Sequence, residues 1–281
     1  MLLKRSATGV CVAALCLVLC CLAGACADTR HRAIQAGAAQ GFAPFRCKAA
    51  AFAFAGQLKA PVQGATELVV YIEGDGHISA PDGSPSADPT PKRPIAWDLA
   101  RLDPASAVFY LPRLGQFDPE FTGPRFHTYW TNKRFAPEIV AAMNAAVTRA
   151  KEHTGAKALH LVGFSGGGAI ACLLAAERDD VASLVTVAGL LDHEYWTGKN
   201  GYKPLSGSLN PARKALQLAR IPQLHLYGTK DRVIDPSVSA HFLQEADFAE
   251  ARRMGVDAGH NEGWAKAWPG LLAGPVQAVR Q

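Results

Sequence analysis

Three side chains in this 281-residue sequence have the types and the order required for nucleophilic acyl transfer: Ser165, Asp231 and His260. A serine hydroxyl is a weak nucleophile at neutral pH, so it needs an imidazole within hydrogen-bond reach and a carboxylate to orient that imidazole. Ser165 sits in Gly163-Phe164-Ser165-Gly166-Gly167, directly after an apolar run from Ala158 to Val162. In that pattern a strand turns sharply into a helix and lifts the hydroxyl above a sheet, and small neighbours are needed because a Cβ would clash. A pattern this short recurs by chance, so its surroundings decide its meaning.

Those surroundings supply an acid and a base. Asp231 follows the apolar segment Pro222 to Tyr227, and Asp235 is the fallback acid. Pro236 marks a helix start, so Asp235 reads better as a helix cap. His260 lies in Asp257-Ala258-Gly259-His260-Asn261, a loop able to swing an imidazole over the edge of a sheet. His241 falls within a helical segment, His160 and His225 fall within strands and read as core residues, and His193 in an insertion is better cast as a substrate-pocket residue.

Acyl transfer also needs N–H donors aimed at the developing oxyanion. The amide of Gly166, next after Ser165, is one, and the turn Glu73-Gly74-Asp75-Gly76-His77 offers the amide of Asp75 as the second. Carboxylates so close to an oxyanion would raise the barrier unless neutralised, so Glu73 or Asp75 should pair with Arg113, Arg125 or Arg134. The alternative is that both acids only cap and pin the loop. If the amide alone matters, Asp75→Ala should leave turnover nearly unchanged. Gly74, Gly76, Trp130, His193 and Trp196 are the pocket candidates, against the alternative that the tryptophans pack the insertions onto the domain.

These residues must be held by strands and helices in alternation. Glu67 to Glu73, Ala107 to Leu111, Lys157 to Phe164, Val181 to Ala188, Pro222 to Tyr227 and Ala251 to Val256 read as strands, with Cys47 to Gly56 a weaker one. Helical segments around Ile95 to Arg101, Phe135 to Thr154, Pro211 to Ala219, Pro236 to Ala246 and Asn261 to Leu272 separate or follow them. This alternation predicts an α/β domain, a mostly parallel central sheet with helices on both faces. Ligands bind such sheets at the carboxyl ends of strands, where Ser165, Asp231 and His260 all fall. Two aromatic-bearing insertions, Arg113 to Arg134 and Leu190 to Asn210, interrupt the alternation near the site.

With 49% apolar residues, residues 45–281 can form one domain burying about three quarters of its unfolded surface. Residues 28–44 read as a flexible connection. Residues 1–27 have the anatomy of a signal peptide: Lys4 and Arg5, an apolar stretch from Val10 to Leu22, and Ala25-Cys26-Ala27 as a cleavage site before Asp28. Leu22-Ala23-Gly24 also approaches a lipoprotein signal, which would anchor the chain to a membrane by a lipid on Cys26, although Ala25 intervenes. The expected location is therefore periplasmic or secreted, or lipid-anchored to the envelope. Five of the seven cysteines lie in this leader, leaving Cys47 and Cys172 as two unpaired thiols rather than a disulfide scaffold. The formal charge of +5, lowered to about +3 without the leader, comes with no long basic run, which argues against nucleic acid as a partner.

Across its length after the leader, the sequence resembles the α/β-hydrolase fold superfamily. Tyr71-Ile72-Glu73-Gly74-Asp75-Gly76, Ser86-Ala87-Asp88-Pro89-Thr90-Pro91, Gly163-Phe164-Ser165-Gly166-Gly167-Gly168 and Gly263-Trp264 look like a group of exported proteobacterial hydrolases within it. Relatives in that group carry cysteines near the loop after Pro112, where this chain has Arg113-Leu114-Gly115. The resemblance implies a serine triad and an oxyanion hole at the matched positions, and does not choose the substrate. The leading reading is a serine hydrolase that cleaves a carboxylic ester through a Ser165 acyl-enzyme, with a small-molecule ester or acyl substrate and no cofactor or metal expected. A peptidase or thioesterase using the same triad, or a non-catalytic binding protein of this fold, are the alternatives.

Overall fold

A computed structural model describes residue 34, residues 36–248 and residues 251–281. The leader, residues 1–27, and Cys26 lie outside the described residues. Structure begins earlier than the flexible reading of residues 28–44 allowed. A 3-10 helix, Ala36–Gln40, leads directly into the first strand, and Phe42 packs edge-on against Trp97 with ring centroids 4.8 Å apart.

Eight strands form one sheet: β1 (Phe42–Ala49), β2 (Phe52–Lys59), β3 (Glu67–Ile72), β4 (Val108–Leu111), β5 (Ala158–Phe164), β6 (Val181–Val187), β7 (Gln223–Gly228) and β8 (Ala251–Val256). Their spatial order is β1-β2-β4-β3-β5-β6-β7-β8. The β1–β2 hairpin is antiparallel, β2 runs antiparallel to β4, and all further neighbours are parallel. The segment read as one strand from Cys47 to Gly56 is therefore a hairpin. Its turn is Ala50-Ala51, with Ala50 at φ 50°, where a glycine or asparagine would have signalled the reversal.

The helices are α1 (Ile95–Leu102), α2 (Pro137–Thr154), α3 (Gly166–Glu177), α4 (His193–Asn200), α5 (Ala215–Leu218), α6 (Ser237–Phe242), α7 (Trp264–Leu271) and α8 (Gln277–Arg280). A π-turn, Leu272–Val276, joins the last two, so the chain runs on beyond the predicted end of the last helix. The predicted helix from Pro211 to Ala219 divides into a 3-10 turn, Pro211–Lys214, and the single turn of α5.

Alternation along β3 shows why the sheet is covered on both faces. Leu68, Val70 and Ile72 face a core shared with Ile139 and Met143 of α2 and Ile170 and Leu173 of α3. Val69 and Tyr71 face the opposite core, which holds Trp97 of α1 and Trp264 and Trp268 of α7. The polar groups within the strands are matched across the sheet. His160 Nδ1 lies 2.8 Å from Ser183 Oγ, and His225 lies 2.9 Å from Thr186 Oγ1 and 3.0 Å from Gln223 Oε1. Burial pulls the His225 imidazole down to about 3, so it is a neutral core residue. Cys47 and Cys172 are both buried and free.

The chain crosses outward from β3 through α1 to β4, then returns through α2 to β5 on the other side of β3. This reversal opens a crevice beyond the carboxyl ends of β3 and β5, where Ile72 is in register with Gly163. The loop beginning at Glu73 and the turn at Ser165 therefore emerge side by side.

Candidate active site

The turn after β5 is strained. Ser165 has φ 51° and ψ −121°, a conformation rarely adopted by a residue with a side chain. It is held from both sides: the Ser165 N–H donates to Val187 O on β6 at 2.9 Å, and its carbonyl accepts from the N–H groups of Gly168 and Leu190. A Cβ at Gly163 would overlap the carbonyl of Gly167, so the pattern's glycines are a packing requirement.

The side chains named from sequence converge here. Ser165 Oγ lies 3.0 Å from His260 Nε2, and His260 Nδ1 lies 2.8 Å from Asp231 Oδ2. Asp231 is fixed in turn, because its other carboxylate oxygen accepts the N–H groups of Val233 and Ile234 at 2.8 and 3.0 Å. Trp264 Nε1 donates to the His260 carbonyl at 3.0 Å, tying the histidine loop to α7. The rejected candidates are accounted for: Asp235 accepts the Ser237 N–H at 2.8 Å, as a capping acid does, and His241 pairs with Asp192 at 3.0 Å.

The two acids after β3 follow different routes. Asp75 pairs with both predicted arginines, its Oδ1 2.9 Å from Arg113 Nη1 and its Oδ2 2.7 Å from Arg134 Nη1. Arg125 takes no part and lies over the Phe126 ring. Burial raises the Asp75 carboxyl, but Arg134 and Arg113 overcome it and hold the group below the ordinary carboxylate range. The Arg113 guanidinium also donates to the Arg134 carbonyl. Gln116, fully buried, grips the same loop by donating to the Gly74 carbonyl at 2.9 Å while its own oxygen accepts the Arg113 N–H. Sequence reasoning missed Gln116, since a single glutamine in a loop carries no signal.

Glu73 has no basic partner among the described residues. Its carboxylate accepts the Gly74 N–H at 2.9 Å and the Tyr110 hydroxyl at 3.1 Å, with the Ala96 and Trp97 N–H groups at 3.4 Å. It thus caps α1, which begins after Pro94 and has no side-chain cap of its own. Burial pushes the Glu73 carboxyl up to about 7 from an ordinary 4.5 despite these donors. The folded chain therefore keeps a proton that the unfolded chain releases between these values. This contribution to stability is fully present below about pH 4.5 and is lost as pH rises to 7, by about 3 kcal/mol in all. Glu73→Gln should flatten the change in unfolding free energy between pH 5 and pH 7.5 in denaturant titrations. An unchanged slope would assign the pH dependence to other groups.

With the Gly74 N–H engaged by Glu73, the Asp75 and Gly166 N–H groups remain without acceptors in the protein among the described residues. Both flank Ser165. A cleft of about 540 Å³ opens over this arrangement, its apolar wall formed by Phe164, Leu190, Trp196, Val233 and Ile234. Gly74, Gly76 and Trp196 line it as expected, and the Trp196 indole donates to the Val233 carbonyl at 2.8 Å. Trp130 and His193 do not. Trp130 is buried with its indole donating to the Ser86 carbonyl, and His193 is buried in a stack against Phe135. The aromatics of the first insertion thus pack it in place, and the residues it brings to the site loop are Arg113, Gln116 and Arg134. His77, Ile78, Pro91, Lys92, Arg93 and Asn261 also line the cleft and were not anticipated.

Among the described residues one group elsewhere could offer ligands to a metal: Asp192, His241 and Glu245, whose ligand atoms lie within 4.8 Å of one another. Asp192 is already committed there, accepting the Glu194 and Tyr195 N–H groups as the cap of α4 and the Asn210 side chain besides.

A sharp serine turn after the fifth strand of this sheet order, followed by an acid after β7 and a histidine after β8, defines the class: the chain has the α/β-hydrolase fold. A family model described as alpha/beta hydrolase fold matches residues 124–203. Among solved structures, an acylaminoacyl peptidase of Pyrococcus horikoshii is similar with a TM-score of 0.60 and 14% identity over 82% of this chain. This chain spans only 39% of that peptidase's length. An α/β serine hydrolase without a lid from Xanthomonas campestris has a TM-score of 0.54 and 15% identity, over 84% of this chain and 94% of that one. Est1E from Butyrivibrio proteoclasticus has a TM-score of 0.56 and 13% identity, over 84% and 96%. No curated protein sequence matches the chain.

Proposed function

We propose that this chain is an exported serine hydrolase that cleaves a carboxylic ester through an acyl-enzyme on Ser165. The observation that carries this reading is the 3.0 Å contact between Ser165 Oγ, on its strained turn, and a His260 ring whose other nitrogen meets buried Asp231. The Asp231 carboxylate keeps the Nδ1 proton on His260 and leaves Nε2 free to take the proton of Ser165. As Oγ bonds to the carbonyl carbon, the charge forming on the carbonyl oxygen is received by the Gly166 and Asp75 N–H groups. The ester C–O bond then breaks, and the alcohol leaves with the proton held by His260. Water, deprotonated by the same imidazole, hydrolyses the acyl-enzyme and restores Ser165.

The apolar wall of Leu190, Trp196, Val233 and Ile234 suits the hydrocarbon part of an ester. A panel of 4-nitrophenyl esters of increasing acyl length, run beside 4-nitroanilide aminopeptidase substrates, tests the reaction class. The expected result is ester turnover far exceeding amide turnover. Faster cleavage of the anilides would make the chain a peptidase on the same machinery.

Export belongs to this proposal, supported by the leader and by the motifs that resemble those of exported proteobacterial hydrolases. The mature chain should begin at Asp28, or at a lipid-bearing Cys26, by intact mass. An uncleaved N-terminus in exporting cells would remove it.

A further inference from the structure

The apolar wall is only half of the cleft. The other half is lined by Arg134, Lys92, Arg93 and His77. The acids available to balance these cations are Glu73, buried beneath the loop and capping α1, and Asp75, already shared between Arg113 and Arg134. Neither Lys92 nor Arg93 makes an ion pair among the described residues, and both are exposed at the cleft.

Arg134 adds a more specific feature. Its side chain is 8% exposed, its Nε donates to the Thr131 carbonyl at 2.7 Å and its Nη1 to Asp75, while Nη2 makes no hydrogen bond among the described residues. At the cleft wall this nitrogen is a charged donor open to a ligand or to water. The scaffold invests in keeping these cations where they are. Trp130 Nε1 holds the Ser86 carbonyl, and the Phe117 N–H holds Thr90 Oγ1, so the loop that carries Lys92 and Arg93 is fastened to the insertion that ends at Arg134.

Resting on the serine-hydrolase reading, we propose that the substrate carries an anionic oxygen group, a carboxylate or a phosphate, on the side of the ester that faces Arg134, Lys92 and Arg93. The opposite side of the same substrate is apolar and lies against Leu190 and Trp196. Arg134 orients the anion through a charge-assisted hydrogen bond from Nη2, and Lys92 and Arg93 attract it electrostatically at the mouth.

The test compares the mono-4-nitrophenyl ester of glutaric acid with 4-nitrophenyl valerate, which has the same acyl chain length and no charge. At low ionic strength kcat/KM for the glutarate ester should exceed that for the valerate ester by about tenfold or more, as one charge-assisted hydrogen bond would give. The ratio should fall as salt is raised and fall severalfold in Lys92→Ala/Arg93→Ala, the remainder being the part that the Arg134 hydrogen bond supplies. Both substituted side chains are exposed, so this variant should fold, and the salt dependence of the unmodified protein gives an independent reading. Competition by free glutarate or inorganic phosphate against valerate hydrolysis identifies which anion the site prefers, and inhibition by either supports the proposal. A ratio near one, insensitive to salt and unchanged in the variant, overturns it while leaving the ester hydrolase reading intact. Failure to hydrolyse either ester would instead count against that underlying reading.

Discussion

Ser165→Ala should reduce kcat for any ester turned over by this chain by about 10⁴-fold to 10⁶-fold while leaving the fold and the melting temperature essentially in place. The loss is large because in the proposed reaction Oγ is the atom that bonds to the substrate, and the hydroxyl's contact with His260 holds no other element in place. The elbow itself is held by main-chain groups, the Ser165 N–H on Val187 and its carbonyl on Gly168 and Leu190, none of which depends on Oγ. Removing the hydroxyl therefore separates chemistry from architecture. A variant that keeps more than a tenth of the activity would show that another residue supplies the nucleophile.

Asp75→Ala should be the most damaging change near the site that leaves Ser165, His260 and Asp231 untouched. On the sequence alternative in which the acids only pin the loop, the Asp75 amide alone counts and turnover should survive loss of the carboxylate. The structure reverses that expectation, because the carboxylate lies between two buried guanidiniums, Arg113 and Arg134, at 2.9 and 2.7 Å. Deleting it leaves two cations buried and close to one another, and uncompensated charges of this kind cost about 3–5 kcal/mol. It also loosens the loop whose amide the proposed reaction uses, by removing the two guanidinium contacts and leaving the Gln116 contact to the Gly74 carbonyl and the His77 N–H on Pro89. The expected outcome is a midpoint of denaturation clearly lowered, together with a fall in kcat of about 10²-fold, the scale of losing one oxyanion donor. Stability and kcat both within error of the unmodified chain would restore the simpler view that the side chain is incidental.

These two residues mark the boundary of what sequence alone could convey. Ser165, Asp231 and His260 were legible because each lies in a loop directly after a segment read as a strand, Ser165 and Asp231 after largely apolar ones, and the doubly wound sheet brings such strand ends together. The β1–β2 hairpin was not, since its Ala50-Ala51 turn lacks the glycine or asparagine that normally marks a reversal. Asp75 was foreseen as an acid in need of arginine, and two of three candidates met it. The depth of their burial, which turns a neutralising contact into a structural clamp, depends on tertiary packing that no local pattern encodes. Trp130 and His193 were misjudged for a related reason: an aromatic ring in a long insertion serves equally well as a lining or an anchor, and here both anchor. The cations Lys92 and Arg93 reach the cleft only because the intervening loop is folded back by Ser86 and Thr90, which are far from Trp130 and Phe117 in the chain.

The central claim is that Ser165 is a nucleophile activated by His260. Its most direct measurement is covalent labelling of the folded chain with a fluorophosphonate, followed by mass analysis of the modified peptide. One adduct should form, on the peptide containing Ser165, and it should be lost in both Ser165→Ala and His260→Ala. A folded unmodified chain that takes no label, or takes it on another residue, would contradict the account.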